Sequence, residues 1–499
     1  MGAQPLKKPR KAARGRSLVI PIPQRSSASF ITLEDNSTAS CSAVELFDLK
    51  NRRSRDPLSE AARLSEQLMV QNRSVLALAQ MQCTREFNGR DVRMQFRAGN
   101  TIGAIPLLSP TTGKPDYGVI IGPRFSWSGI GPMLAQMGWR VAPTPLKLQT
   151  FKGSEKSIPR WVLSSMILAR IRALLQSLTR RFELITETNN APRGTVRWTE
   201  YAVRSLPSAS FLAIPCTYPD LRQERLLLGT IRYCLERIIE ELESESEHGA
   251  FVHRLIELAQ QLLFSVREFP VCVPSAGQMA SWLRKPLRTE FYTEGLQAIQ
   301  WTLERRGLAG SSNLEGIPWV MEMERFFEAW VETVFHSVAR TSGATMKTGR
   351  LRQTTKPISW DPPFLGSQKS LIPDLWLQWG STTLIVDAKY KRHFEELQIH
   401  NWTVLESEWK EQHRNDLLQV LAYANLAESR TTISCLVYPC SSATWNHLRN
   451  AGKLFHKAEI TVGSRALHLW MTAAPMMAAV DQIAAPIMNE LAPVLRANS

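Results

Sequence analysis

The sequence predicts a multidomain α/β protein, with a β-rich N-terminal unit, a helical middle and a C-terminal α/β domain. Three observations lead to this prediction. The chain has 499 residues, which suits two to four domains at roughly 100–200 residues each. Short apolar runs bounded by Gly and Pro follow the first 90 residues, and long amphipathic stretches fill the middle. The last third alternates helix-like with strand-like segments, which is typical of an α/β domain.

The first 60 residues predict a flexible basic extension, because they combine Ser, Arg and Pro with few large apolar side chains. Six cations without an acid form a basic arm at Lys7, Lys8, Arg10, Lys11, Arg14 and Arg16. Such an arm suits a phosphate backbone, and it equally suits a solvated tail. Its role therefore stays open.

Residues 61–150 predict a β-rich domain. A helical pattern from about 63 to 88 precedes three strand-like runs, DVRMQFRAG, NTIGAIPLL and YGVIIGPRFS. Residues 151–310 predict a helical middle domain, because apolar residues recur there at helical spacing. Its predicted helices are 158–182, 224–243, 250–264 and 290–306.

The sequence predicts an α/β domain over residues 311–470, which contains the candidate catalytic residues. It predicts a C-terminal helical tail over residues 471–499. The helix WVMEMERFFEAWVETVFHSVA begins near residue 318, and strand-like SLIPDLWLQWG and STTLIVDAKYKR follow it. A helix over 415–427 and a strand over 431–439 complete the pattern.

Charge and cysteine content narrow the function. Lys and Arg number 60 against 45 Asp and Glu, so the net charge of +15 favours a polyanionic partner. The seven cysteines are scattered without a CxxC pair, which disfavours a disulfide framework or a zinc ribbon and indicates a reducing cytosol. Because no apolar run reaches roughly 18 residues, we expect a cytoplasmic protein that does not enter a membrane.

Two aspartates and a lysine form the most informative pattern. Asp387 and Lys389 lie two residues apart in a strand, so both side chains point to one face. A tight turn at Gly380–Ser381 would fold the preceding segment back and bring Asp374 opposite Asp387. Paired carboxylates are oxygen ligands that suit Mg²⁺, which activates water and stabilises phosphodiester charge. The alternative is a surface hairpin with an ordinary Asp–Lys pair.

Neighbouring segments add candidate residues to this pattern. Asp416, Gln419 and Tyr423 share one face of the following helix, and Glu328 on the helix that begins near 318 is a further oxygen ligand. A basic stretch before the hairpin supplies candidate DNA contacts, with a solvated loop as the alternative. The candidate DNA contacts are Lys347, Arg350, Arg352, Lys356 and Tyr423.

These motifs resemble a known nuclease family. Pro373-Asp374, Asp387-Ala388-Lys389 and Gln419-x3-Tyr423 resemble the PD-(D/E)XK signature with the Q-x3-Y helix of its RecB-like branch. The strings VDAKYK and DLLQVLAYA resemble most closely the McrC family, the nuclease subunits of McrBC-type modification-dependent restriction systems. Further similar segments are MERFFEAWVETVF, RTEFYTEGLQAI, APRGTVRWT, VIIGPRFSW and IGPMLAQMGW, so the resemblance spans roughly residues 90–440.

Three departures affect the choice of partner more than the nuclease assignment. The family's Pro-Lys is here Pro123-Arg124, the first 60 residues have no counterpart, and an acidic segment runs from Phe394 to Asn415.

The resemblance implies a restriction-endonuclease-like C-terminal domain that cuts DNA with Mg²⁺, for which Mn²⁺ can substitute. Asp374, Asp387 and Glu328 would hold the metal, while Lys389 and Gln419 would complete the catalytic set. The 61–150 domain would dock on an McrB-like AAA+ GTPase or ATPase. This division of labour agrees with the sequence, which contains no G-x4-G-K-[ST] phosphate-binding loop.

Two alternatives stay open. The first is a non-catalytic scaffold that stimulates an AAA+ partner, and the second is a RecB- or Cas4-like nuclease acting on DNA ends. The sequence does not specify the DNA modification, the partner's nucleotide or the stoichiometry.

Overall fold

The computed structural model describes most of the chain, in the following ranges: 18–19, 29–51, 55–146, 148, 151–152, 158–178, 181–222, 224–245, 249–284, 290–308, 315–364, 366–391, 407–462 and 465–497. The basic arm at 7–16 and most of the acidic segment from 394 lie outside these ranges. The chain divides into two compact units, and the larger combines residues 1–159 with 307–499. Residues 160–306 form the smaller unit.

Twenty-three strands are found in the described ranges. In chain order they are Leu18–Val19 (β1), Ser29–Glu34 (β2), Thr38–Ser42 (β3), Met81–Phe87 (β4), Val92–Ala98 (β5), Thr101–Leu107 (β6), Tyr117–Gly122 (β7), Thr144–Pro145 (β8), Phe151–Lys152 (β9), Arg181–Asn189 (β10), Thr195–Val196 (β11), Ile214–Arg222 (β12), Gly307–Leu308 (β13), Glu315–Ile317 (β14), Trp319–Glu322 (β15), Thr345–Thr348 (β16), Lys356–Pro357 (β17), Ser370–Leu371 (β18), Leu375–Trp379 (β19), Thr382–Ala388 (β20), Thr431–Cys440 (β21), Phe455–Val462 (β22) and Arg465–Pro475 (β23).

The α-helices of the same ranges vary from single turns to 20 residues. They are Ala43–Leu46 (α1), Pro57–Gln71 (α2), Arg73–Leu78 (α3), Trp127–Gln136 (α4), Trp161–Ser177 (α5), Trp198–Glu200 (α6), Arg225–Glu243 (α7), Ala250–Val266 (α8), Ala276–Arg284 (α9), Glu290–Leu303 (α10), Met323–Ser342 (α11), Ser407–Ala424 (α12), Ser442–Asn450 (α13) and Val480–Ala497 (α14). A π-helical turn, Tyr201–Ser205, follows α6. The protein is thus a mixed α/β protein with several sheets, as the sequence predicts.

A five-stranded sheet joins two regions that the sequence analysis assigns to separate domains. Its order is β2-β7-β6-β15-β8, and β15 pairs antiparallel with β6, placing Trp319 opposite Ala104. The segment that follows residue 318 is therefore first a strand, and α11 begins only at Met323. Residues 61–150 and 311–470 accordingly belong to one compact unit rather than to two domains.

Residues 29–51 are part of this unit and not of a flexible extension. Strand β2 pairs in parallel with β7, and β3 pairs antiparallel with β5. Leu33, Phe47 and Leu49 are buried in the adjoining core. The segment by itself is too short and too polar for its sequence to predict a domain. Its strands are stabilised by partner strands more than 50 residues further along the chain, which no local pattern specifies.

The predicted helical pattern from 63 to 88 is divided into three elements. Helix α2 starts at Pro57, where the side chain of Asp56 accepts a hydrogen bond from the Ser59 N–H at 3.2 Å. The chain turns at Asn72, whose buried side chain bonds the backbone of Leu108 in both directions. Helix α3 follows, and the remaining residues form strand β4. A long-range contact of one side chain therefore overrides the local periodicity.

The smaller unit contains helices at all four predicted positions and, in addition, α9 and the short α6. It also contains a three-stranded antiparallel sheet, in the order β10-β12-β11. A purely helical middle domain is therefore incomplete as a prediction. Strands β10 and β12 pair over nine residues each, although residues 190–213 separate them in the chain.

A six-stranded sheet positions the predicted site, with the order β16-β19-β20-β21-β23-β22. Strand β20 runs parallel to β21 and antiparallel to β19. Helix α12 packs on β20 and β21, while α11 packs on β20 and β16. The C-terminal helix α14 packs along α11, so it belongs to the larger unit and is not a detached tail.

All seven cysteines are free thiols. Within the described ranges, the helices lack the combination of length and hydropathy that a bilayer-spanning segment requires.

Candidate active site

A two-residue turn at Gly380–Ser381 brings the two predicted aspartates opposite each other. Strands β19 and β20 are antiparallel, and Leu375 faces Val386 across the hairpin. Asp374 comes directly before Leu375 and Asp387 directly after Val386, so the next pair in the register is Asp374 with Asp387. Gly380 adopts a φ of +45°, which a residue without a Cβ accommodates readily. The hairpin predicted from the sequence is present.

Backbone contacts on both sides hold Asp374 in place. Its Oδ2 accepts a hydrogen bond from the Ala388 N–H at 2.8 Å, and its carbonyl oxygen accepts one from the Gly349 N–H at 2.7 Å. A Cβ at Gly349 would lie 2.6 Å from the carbonyl oxygen of Pro373, so the close approach requires glycine here. Asp374 is thereby held by the end of β20 and by the residue that follows β16.

Asp387 and Lys389 form an ion pair on the same face of β20. The Lys389 Nζ lies 2.8 Å from Asp387 Oδ2, and Asp387 is only 1% exposed. The Lys389 backbone N–H donates to the carbonyl oxygen of Val437 on β21, which fixes the end of the strand. The carboxylate and the ammonium therefore face one small volume.

The site favours a bound cation electrostatically. Burial and the neighbouring charges of Asp387 and Glu328 raise the pKa of Asp374 well above its usual value. Burial also raises the pKa of Asp387, although Lys389 counteracts it. For Lys389, burial lowers the pKa, but the carboxylates of Asp387, Asp374 and Asp416 outweigh burial and leave it raised. One ammonium thus compensates several buried acids only in part.

Glu328 approaches this group from helix α11. Burial first and Glu324 second raise its pKa to about 7, and Asp387 contributes further while Lys389 opposes. Glu328 and Asp374 both line a cleft of about 670 Å³ that also contains Arg140 and Arg350. Glu328 therefore lies within electrostatic reach of both aspartates.

Helix α12 contributes Gln419 and Tyr423 from the side that faces β20. The Gln419 Nε2 donates to the Tyr423 hydroxyl at 2.8 Å, and Tyr423 is buried against Ile385. Burial raises the pKa of Tyr423, while the Gln419 hydrogen bond lowers it and Asp387 raises it. The predicted Gln-x3-Tyr pair therefore lies next to the acidic group.

Asp374 and Asp387 are the two carboxylates that a magnesium ion could use here, and the predicted third ligand, Glu328, stays a prediction. The described part of the chain contains no group of three or more His, Cys, Asp or Glu side chains close enough to hold a metal ion. The carboxylates of Glu328, Asp374 and Asp387 therefore do not lie close enough together for all three to surround one ion. Magnesium in phosphoryl chemistry commonly uses one or two carboxylates, with waters and substrate phosphate completing its shell. Asp374 and Asp387 offer two such carboxylates.

The candidate DNA contacts are divided between different places. Arg350 makes a bidentate pair with Glu332, at 3.0 and 2.8 Å, and Arg140 Nη1 also contacts Glu332, at 2.9 Å. Arg352 is exposed in the turn after β16 with a φ of +56°. Lys347 and Lys356 line a second cleft with Trp376, described further below.

Sequence reasoning missed a buried polar cluster around Tyr390, which directly follows Lys389. The Tyr390 hydroxyl donates to Asp35 Oδ2 at 2.9 Å, and Asp35 Oδ1 accepts from the Arg124 N–H at 2.7 Å. The Arg124 guanidinium lies 4.5 Å from the centroid of the Tyr390 ring, and Asp35 is fully buried. The Pro123-Arg124 departure from the family pattern thus lies at a contact between the N-terminal strands and the end of β20.

Sequence analysis placed Asp416 on one helix face with Gln419 and Tyr423, but Asp416 has other partners. Its Oδ1 accepts from the Lys391 Nζ at 2.6 Å, and its Oδ2 accepts from the Tyr438 hydroxyl at 3.0 Å. Asp416 and Tyr438 are buried. The sequence signal for this second cation is the spacing of Lys389 and Lys391, which lie two residues apart and would point to the same side of an extended chain.

Replacement of Asp35 by alanine is expected to lower the free energy of unfolding by about 3 kcal/mol or more, because it leaves Tyr390 and Arg124 buried without their acceptor. Urea denaturation measures this loss. The neighbouring Glu34 is exposed, so Glu34→Ala is the matched control and should change stability by less than about 0.5 kcal/mol. Equal effects of the two substitutions would contradict a structural role for the cluster.

The raised pKa of Glu328 predicts a stability that decreases with pH when metal is chelated. The folded pKa of about 7 exceeds the ordinary 4.5, so between these values the folded state binds more protons than the unfolded state. Stability is therefore fully present below about 4.5 and is lost as the pH rises through about 7. Allowing for partial exposure, we expect a loss of about 1–2 kcal/mol. Thermal unfolding in EDTA at several pH values measures it, and Glu328→Gln should flatten the curve; an unchanged slope would refute the assignment.

Comparisons with known proteins give a family and two structural neighbours. The chain is similar to the Thermococcus gammatolerans half-complex of McrB AAA+ hexamers with bound McrC, at 12% identity and a TM-score of 0.41, covering 93% of this chain and 100% of that chain. A second match, to the McrBC complex of the same organism, has 11% identity and a TM-score of 0.26, covering 62% of this chain and 88% of that one. No curated protein matches.

The family comparison covers the site and most of the larger unit. The model of the family described as McrBC 5-methylcytosine restriction system component matches residues 97–439. Because this match spans more than half of the sequence, the chain belongs to the McrBC restriction system component family.

Proposed function

We propose that this chain is the Mg²⁺-dependent DNA endonuclease subunit of an McrBC-like restriction system, with a PD-(D/E)XK active site. The observation that carries the proposal is the meeting of Asp374, Asp387 and Lys389 at the end of one hairpin. Two carboxylates that can hold a metal ion beside one ammonium suit metal-assisted phosphodiester hydrolysis. Family membership supplies independent support, because such a system restricts DNA.

Each residue has a distinct role in this mechanism. Asp374 and Asp387 would hold Mg²⁺, which when bound supplies charge stabilisation at the phosphodiester and lowers the pKa of water. Lys389, anchored by Asp387 at 2.8 Å, presents an ammonium that orients the attacking water and offsets the negative charge of the reacting phosphate. Gln419 holds the Tyr423 hydroxyl beside the aspartates.

Glu328 acts at the edge of the same site. With a pKa raised to about 7, its carboxyl exchanges a proton near neutral pH, which suits proton transfer with water. Arg140 and Arg350 line the cleft that contains Glu328 and Asp374, and we propose that they contact the DNA backbone there.

The proposed partner is an AAA+ GTPase or ATPase of the McrB type, which recognises the DNA and translocates it. The sequence holds no phosphate-binding loop for nucleotide hydrolysis. We propose that the partner docks on the N-terminal part of the larger unit, from which the buried Asp35 and Arg124 contact Tyr390 beside Lys389. Through this contact, binding of the partner would influence the position of the residues at the end of β20.

Cleavage of closed circular and linear DNA by the purified chain, with and without the AAA+ partner, tests the proposal. We expect cutting of circular DNA that needs Mg²⁺ and increases with partner and nucleotide. Cutting of linear DNA alone would favour the RecB- or Cas4-like alternative. Stimulation of partner nucleotide hydrolysis without any cutting in Mg²⁺ or Mn²⁺ would favour the scaffold.

A further inference from the structure

A second cleft, of about 500 Å³, lies beside the edge strand β16 of the six-stranded sheet. Its lining is mostly polar and combines cations, amides and one large aromatic ring. The residues that matter here are Lys347, Lys356, Arg430, Gln353, Gln378 and Trp376.

This cleft shares a sheet face with the catalytic aspartates. Lys347 on β16 pairs with Trp376 on β19, and Trp376 pairs with Ile385 on β20. Paired residues point to the same side of a sheet, and so do residues two apart in an extended chain. Asp374 comes two residues before Trp376, and Asp387 two residues after Ile385. The cleft therefore starts about 7 Å along the strand from the aspartates.

Its cations are available for a ligand. Lys347, Lys356 and Arg430 are exposed, and none of them forms an ion pair with another residue in the described ranges. Glu428 is the one carboxylate among the described lining residues, so the cleft carries a surplus of positive charge. An anion at this position would interact with three cations whose charge no carboxylate in those ranges neutralises by direct contact.

Trp376 gives the cleft a flat apolar surface. The ring is half-buried and packs against the cluster of Ile385 and Tyr423, and the Lys356 Nζ lies 5.7 Å from its centroid. The Gln353 Oε1 accepts a hydrogen bond from the Thr348 N–H at 3.1 Å, which leaves the amide NH₂ of Gln353 to donate. A base that stacks on Trp376 would thus meet a hydrogen-bonding group at the rim.

We propose that this cleft binds a nucleotide unit of an unpaired DNA strand, with the phosphates on Lys347, Lys356 and Arg430 and the base against Trp376. Aromatic rings in cationic grooves bind single strands in this way, because only an unpaired base offers its face. A volume of about 500 Å³ is large enough for one nucleotide unit. The inference rests on the proposed function in taking DNA as ligand, but binding here requires neither metal nor cleavage.

Fluorescence anisotropy of the full chain in EDTA tests the cleft. The probes are a labelled single-stranded oligonucleotide and a blunt duplex of the same sequence. Combining Lys347→Gln, Lys356→Gln and Arg430→Gln should weaken single-strand binding at least about tenfold and reduce the slope of log K against log salt by about 2, at roughly 0.7 per phosphate contact. Trp376→Leu should weaken single-strand binding at least about fivefold and leave duplex binding within about twofold, while Trp376→Phe should retain binding.

Lys453→Gln is the matched control, since Lys453 is exposed and lies two residues before β22, the opposite edge of the sheet. Single-strand binding unchanged by the triple substitution would overturn the inference. Displacement of the oligonucleotide by an equal concentration of deoxynucleoside monophosphate would also overturn it, in favour of a free nucleotide. If the wild-type protein binds single strands through this cleft but cuts no DNA, the proposed nuclease function is refuted and the inference about the cleft is not.

Discussion

Replacing Asp387 with asparagine is expected to reduce Mg²⁺-dependent DNA cleavage at least about 1000-fold. The substitution removes one of two carboxylates that would hold the metal, whose charge stabilisation is worth several kcal/mol, and each 1.4 kcal/mol is about a factor of ten in rate. Nicking of supercoiled DNA in the presence of the AAA+ partner measures the loss. The amide keeps the shape of Asp387 and an oxygen acceptor for the Lys389 ammonium, which Asp374 and Asp416 also counterbalance, so the variant should stay folded at the assay temperature.

Replacing a catalytic carboxylate removes activity and leaves the protein folded, whereas replacing a structural one impairs both. Glu459→Gln makes the same carboxylate-to-amide change at an exposed position of β22 and should leave cleavage unaltered. Full cleavage by Asp387→Asn, or its unfolding together with loss of activity, would contradict the assignment.

Replacing Lys389 with methionine is expected to reduce cleavage at least about 100-fold, the lower end of what a positioned polar group contributes. Lys389 points at Asp387 and is mostly shielded from water, with 14% of its side chain exposed. If its charge is what matters, Lys389→Arg should retain more activity than Lys389→Met. Single-turnover cleavage with saturating DNA measures the chemical step separately from binding.

Lys453→Met is the control for loss of a lysine charge at an exposed position, and it should cut at the wild-type rate. Equal loss in Lys389→Arg and Lys389→Met would rule out a purely electrostatic role. Cleavage by Lys389→Met at the wild-type rate would remove Lys389 from the mechanism.

Local patterns in the sequence predict the hairpin well. Gly380–Ser381 sets a two-residue turn, and the register that follows from it makes Asp374 and Asp387 the next opposed pair. The spacing of Asp387 and Lys389 then fixes a common face. These features depend on neighbours within about 15 residues, where periodicity and turn chemistry determine the structure.

Other features depend on residues far apart in the chain and were not predicted. The pairing of β15 with β6 joins residues more than 200 positions apart, and no local pattern specifies that partner. Asp35 reaches Tyr390 across 355 positions. Arg350 looked like a free basic residue in the sequence, yet its partner Glu332 lies on α11, where burial cannot be read from composition.

The closing of the five-stranded sheet by β15 has a consequence for biosynthesis. The ribosome makes β2, β6 and β7 early, but β6 lacks its second neighbour until residues 319–322 have emerged. Asp35 waits still longer for the Tyr390 hydroxyl. Folding of the larger unit is therefore a late, high-contact-order event, and a fragment that starts near residue 311 would expose an unpaired strand instead of yielding an autonomous nuclease. The proposed cutting activity would therefore arise only after residue 390, and with it the hairpin that carries Asp374, Asp387 and Lys389, has been translated.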